Sequence, residues 1–109
     1  MAGPWDSNMK QLVRDFVQDY VSYLVEGAIF ISELNAHLPN RSVDADALYK
    51  VRRKRHPFLI HIEFQARING KVPQRVCEYN MSAKGKYKLP VISFVFYLQR
   101  GGRMPQSPY

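Results

Sequence analysis

The sequence predicts an α/β domain with a mixed sheet flanked by helices, and three observations predict it. Two stretches, Val43 to Val51 and Pro57 to Gln65, largely alternate polar and apolar residues with period two, the signature of half-buried strands. Apolar residues near the N-terminus recur instead at i, i+3, i+4 and i+7, the signature of an amphipathic helix. Leu89 to Leu98 is almost continuously apolar, as expected of a strand covered on both faces.

The elements follow in chain order. Asp6 or Ser7 suits an N-cap, and Met9, Leu12, Val13, Phe16, Val17, Tyr20, Val21 and Leu24 form the helix stripe up to a stop near Gly27. Lys10, Arg14, Asp15, Gln18 and Asp19 then face water. Ala28-Ile29-Phe30-Ile31 is a short apolar piece that periodicity leaves unassigned, and Leu38-Pro39-Asn40-Arg41 reads as a loop.

In the first alternating stretch Asp44, Asp46 and Lys50 share one face, while Val43, Ala45, Ala47, Tyr49 and Val51 share the other. In the second, His61, Glu63 and Gln65 oppose Phe58, Ile60, Ile62 and Phe64, and Leu48 and Leu59 are apolar exceptions on the polar faces. The basic connection Arg52-Arg53-Lys54-Arg55-His56-Pro57 is short enough to close an antiparallel hairpin. Setting Val51 opposite Phe58 sets Asp46 opposite Glu63 and Asp44 opposite Gln65. A one-residue slip would mix the faces, so the parity is the firmer part of this expectation.

Ile68-Asn69-Gly70-Lys71 reads as a turn and Val72 to Lys86 as a second helix, with Pro73 in its first turn. A helix on the apolar sheet face would leave the charged face to form a cleft. Residues 1–99 are therefore expected to form one domain, and residues 100–109 a flexible tail.

The net charge of +7, from 16 Lys and Arg against 9 Asp and Glu, favours a polyanionic partner such as DNA. Cys77 is the only cysteine, which excludes an intramolecular disulfide and fits a reducing compartment. No apolar run has the length of a membrane helix, and Met1 to Asp6 lack signal-peptide character. A cytoplasmic protein with no membrane partner is the expectation.

Carboxylates side by side on neighbouring strands repel unless a cation lies between them, and a hard divalent ion such as Mg²⁺ suits their oxygens. Asp46 and Glu63 are the candidate ligands, with the backbone carbonyl of Phe64 as a third, and Asp44 shares their face. Gln65 points the same way and is placed to orient water or a phosphate oxygen; it supplies hydrogen bonds but no charge. The competing readings are a surface Glu63 paired with Lys50 or an arginine, an Asp44 that caps the strand entrance, and a solvated Gln65. His61 is a candidate base beside Glu63 or a surface histidine. Arg75 and Tyr79 share a helix face and either touch phosphate or brace the sheet. Arg52, Arg53, Lys54 and Arg55 either grip phosphate or form a solvated turn. Cys77 reads as buried packing, and Phe94, Phe96 and Tyr97 as core.

Asp46-Ala47-Leu48-Tyr49-Lys50-Val51, His61-Ile62-Glu63-Phe64-Gln65, Arg75 with Tyr79, and Pro90 to Leu98, in that order, resemble the transposase branch of the PD-(D/E)XK nuclease superfamily, the recombination-promoting nucleases among them. The similarity covers roughly residues 6 to 98. It implies a restriction-endonuclease-like αβββαβ core and Mg²⁺- or Mn²⁺-dependent cleavage of DNA. Its third early strand would lie upstream, near Ala28 to Ile31. Asp46 and Glu63 would be metal ligands, and Gln65 would stand where most of the superfamily has lysine. Asp6 would match an additional acid of some members. Cleavage of both DNA strands would call for two sites and hence a homodimer. The alternatives are a non-catalytic DNA-binding or assembly module on the same fold, or a piece of a longer transposition-associated protein.

Overall fold

The computed structural model describes residues 16–38, 45–66, 70–97 and the backbone of 106–108. Helix α1 (Val17–Leu24) leads into strand β1 (Ile29–Glu33) and then the hairpin of β2 (Ala47–Arg53) and β3 (His56–Gln65). Helix α2 (Val72–Tyr87), β4 (Val91–Tyr97) and the short β5 (Gln106–Pro108) follow. The strands form one mixed sheet in the order β1-β2-β3-β4-β5. Among the described strands only the β3–β4 pair is parallel, with α2 as its crossover. The chain is thus an α/β fold, with helices α1 and α2 packed on the sheet.

The unassigned piece at Ala28 to Ile31 contributes to β1, which pairs with β2 across a bulge between Phe30 and Ser32. Its outward residues Ile29 and Ile31 are exposed because β1 is an edge strand, which blurs the alternation. The proposed N-cap and the helix positions before Phe16 lie outside the described residues, as do Asp6, Asp44 and the 39–41 part of the loop. Strand β5 falls within the stretch read as a tail and pairs with β4.

The hairpin register is as expected, with Val51 opposite Phe58 and Ala47 opposite Ile62. The connection is tighter than the six residues allowed for. Arg52 pairs with Pro57 and Arg53 with His56, so only Lys54 and Arg55 turn. Lys54 takes a left-handed conformation (φ 57°) that side-chain-bearing residues adopt at a cost.

The buried part of one sheet face is apolar. Ala47, Tyr49, Val51, Phe58, Ile60, Ile62, Phe64 and Phe96 pack with Val21 of α1 and with Ala28. The other face is not the open cleft that the charge pattern suggested, because α2 covers it. Leu48 and Leu59, the two exceptions to the polar pattern, are its anchor: with Leu38 they pack against Tyr79 and Ala83 of α2. Val72 and Val76 seat the first half of α2 on Val95 and Tyr97. Pro73 opens the helix, Lys84 and Lys86 lie in its last turn where cations suit the dipole, and Lys88 ends it in a left-handed conformation. Among the described residues no helix is long and apolar enough to cross a membrane.

Candidate functional site

Because α2 lies on the polar face, the side chains that strand parity sends there are buried. His61 is fully buried and Glu63 is 3% exposed. Neither is the surface residue that the plainer sequence reading allowed. A buried carboxylate needs partners, since burial without them costs several kcal/mol. Glu63 has three. Its Oε1 lies 3.4 Å from His61 Nε2. Its Oε2 accepts a hydrogen bond from Gln65 Nε2 at 3.1 Å and lies 3.8 Å from the Arg75 guanidinium. Lys50 is not among these partners. Arg75 is therefore a neighbour of the carboxylate, at the rim where its side chain is 38% exposed.

Asp46 sits one residue before β2, in a bend, and is half-buried. The paired register ends at Ala47 opposite Ile62, one position short of a pairing of Asp46 with Glu63. The Asp46 backbone N–H donates to Ile62 O at 3.2 Å, and its Oδ2 accepts from the Phe64 N–H at 2.6 Å. The carboxylate so takes over the ladder position that the Ala45 carbonyl would fill if β2 continued. In a ladder, one residue's N–H and C=O face the same neighbouring strand. The Phe64 carbonyl consequently faces the end of β2 where Asp46 stands. Asp46, Glu63 and Phe64 thus lie at the same end of the hairpin, with Gln65 half-buried and bonded to Glu63.

The oxygen donors of this set suit a hard divalent cation better than a soft one. Among the described residues no three His, Cys, Asp or Glu side chains are grouped to hold a metal. The candidate set has two such side chains and a backbone oxygen.

The basic turn is not part of this constellation. Asp46 and Arg53 are seven positions apart, about 23 Å at strand rise. Arg52, Arg53, Lys54 and Arg55 are all exposed at the opposite end of the hairpin, where Arg52 Nη1 donates to Lys54 O. Topology brings the C-terminal turn of α2 to that end too. Exposed Lys84, Lys86 and Lys88 precede Val91, which pairs with Leu59 near the turn.

Two polar residues behind His61 escaped the sequence reading. Ser93 lies opposite His61 in the parallel register, fully buried, and its Oγ is 2.8 Å from His61 Nδ1. Asn80 Nδ2 donates to Ser93 Oγ and to the Val91 carbonyl, each at 2.9 Å. The signal was present: a serine interrupting an apolar run must find a partner once buried. Tyr79 stacks on His61 with ring centroids 4.2 Å apart, and its hydroxyl donates to Ala36 O at 2.5 Å. That favours bracing over phosphate contact for Tyr79. Cys77 is exposed on α2, not buried as expected, because Val76, Tyr79 and Ala83 occupy the inward stripe. No protein-family model, no curated protein and no solved structure matches this chain.

Proposed function

We propose that this chain is a metal-dependent DNA endonuclease of the PD-(D/E)XK kind, associated with transposition or recombination. One observation carries the reading: Asp46, bonded through its carboxylate to the Phe64 N–H, stands at the end of the hairpin where Glu63 lies, one position past the last paired residues Ala47 and Ile62. The order α1-β1-β2-β3-α2-β4, with β1 where the resemblance called for a third strand, supports it.

Asp46, Glu63 and the Phe64 carbonyl would hold Mg²⁺ or Mn²⁺. When bound, the ion would supply an activated water and neutralise charge on a phosphoryl oxygen. Gln65 donates to Glu63 Oε2 through its amide, and its carbonyl oxygen would orient water. Arg75, half-exposed beside Glu63, offers charge to an incoming phosphate that Gln65 cannot. The exposed turn Arg52 to Arg55 holds the phosphate backbone without reading sequence. At about 23 Å from the carboxylates, it would contact DNA roughly seven base-pair steps away.

Supercoiled plasmid tests this. The parent is expected to nick it in Mg²⁺ or Mn²⁺, and Asp46→Asn and Glu63→Gln are expected to lose at least a hundredfold in rate. Folded parent protein that leaves plasmid intact would contradict the reading.

A second reading, a DNA-binding or assembly module without catalysis, draws on the deep burial of Glu63 and the remote basic end. It predicts DNA retention indifferent to EDTA. Removing the four basic turn side chains would then reduce the salt slope by about one unit for each phosphate no longer neutralised.

A further inference from the structure

The polar groups behind Glu63 form a chain with a direction. The Val91 carbonyl can only accept, so the Asn80 atom facing it is the amide nitrogen. The same nitrogen has a second hydrogen, and Ser93 Oγ lies 2.9 Å away to accept it. Ser93's own hydroxyl hydrogen is then free to point at His61 Nδ1, 2.8 Å away. An Nδ1 that accepts places the imidazole proton on Nε2, which faces Glu63 Oε1 at 3.4 Å. Tyr79, stacked on the imidazole, holds its plane.

We infer that Asn80, Ser93 and His61 are positioning residues: a one-way donor relay, Asn80 to Ser93 to His61 to Glu63, that fixes the Glu63 carboxylate as a metal ligand. The ligand role rests on the nuclease reading above; the relay does not. Glu63 Oε1 is held from behind by His61 and Oε2 from the side by Gln65, so the rotation of the carboxylate is set before a cation arrives. Hydrogen bonds that orient a ligand typically contribute ten- to a hundredfold to metal affinity.

Each half has its own readout. Long-range ¹H–¹⁵N correlation spectra of the metal-free protein report the His61 tautomer. The expected result is a protonated Nε2 and a bare Nδ1, with that preference lost in Ser93→Ala. A proton on Nδ1, or on both nitrogens, in the parent overturns the relay. Mn²⁺ binding, followed by electron paramagnetic resonance, reads the ligand role. His61→Leu keeps bulk beneath Tyr79 but has no donor, and is expected to weaken Mn²⁺ at least tenfold. His61→Gln restores a donor near the Nε2 position and is expected to stay within about threefold of the parent. Equal weakening in both variants overturns the positioning role. A parent that binds no Mn²⁺ overturns the ligand role together with the nuclease reading, while the His61 tautomer still decides the relay by itself.

Discussion

The two faces of the sheet are built from the same strands and solve different problems. Toward α1, every inward residue of β2 and β3 is apolar, and the contacts are dispersion and area removed from water. Toward α2, Leu48 and Leu59 give way within one strand length to His61, Glu63 and Ser93, all buried. A sheet needs no charge under a helix to be stable, and well-packed apolar residues in place of buried ions are often neutral or stabilising. The difference teaches what each face is for: the α1 face holds the fold, and the α2 face holds a fixed carboxylate.

The comparison breaks most easily on the α1 face. Ile60 is fully buried in that cluster, and Ile60→Ala is expected to lower unfolding stability by about 2–5 kcal/mol in urea melts. Mn²⁺ affinity per folded molecule should not change. On the α2 face, Tyr79→Phe removes the hydroxyl that satisfies Ala36 O. It is expected to cost about 1–3 kcal/mol in the same melts, because a carbonyl is left without its donor.

Glu63→Gln sharpens the contrast. The amide fills the same space but turns its NH2 toward one of the two donors that face the carboxylate, so urea stability should fall by about 1–3 kcal/mol while metal-dependent nicking is lost from the folded protein. Nicking that survives in folded Glu63→Gln would show that Glu63 is structural. The smallest mutational effect is expected at the hairpin tip. Lys54→Gly relieves a left-handed side-chain-bearing residue and should raise stability by about 0.5 kcal/mol.

The α1 face also carries a pH response. Burial holds the Tyr20 phenol neutral well above its ordinary range, and the neighbouring phenols of Tyr23 and Tyr49 add to this. The unfolded chain releases that proton near pH 10. The folded state therefore binds the proton where the unfolded state has lost it. The stability this gives is complete below about pH 10 and falls as pH rises beyond it. Urea melts between about pH 9 and 11 should show the decline, and it should weaken in Tyr20→Phe.

Much of this was legible in the residues. Period two gave the hairpin and its register from Ala47 to Arg53, because one slip would have exchanged a whole face; the expected pairing of Asp46 with Glu63 lies one position beyond it. The helix from Val72 showed through Pro73 and its stripe. Strand β1 did not show by periodicity, since its exposed residues Ile29 and Ile31 are apolar like the half-buried Phe30 between them; only the resemblance placed a strand there. The sequence also pointed the wrong way about the polar face. His61 and Glu63 read as solvent-facing because nothing local says that Leu48 and Leu59 will draw α2 over them. Cys77 failed for the same reason, since a weak stripe does not say which helix face turns inward. Ser93 and Asn80 became partners only through the crossover that sets β4 parallel to β3.

Calorimetric titration of Mn²⁺ into the metal-free protein, beside Glu63→Gln, tests most directly whether the polar α2 face exists to hold a cation. The account predicts saturable binding at one site in the parent and none in Glu63→Gln, with both proteins equally folded. No binding to folded parent protein, or the same binding in both, would contradict it.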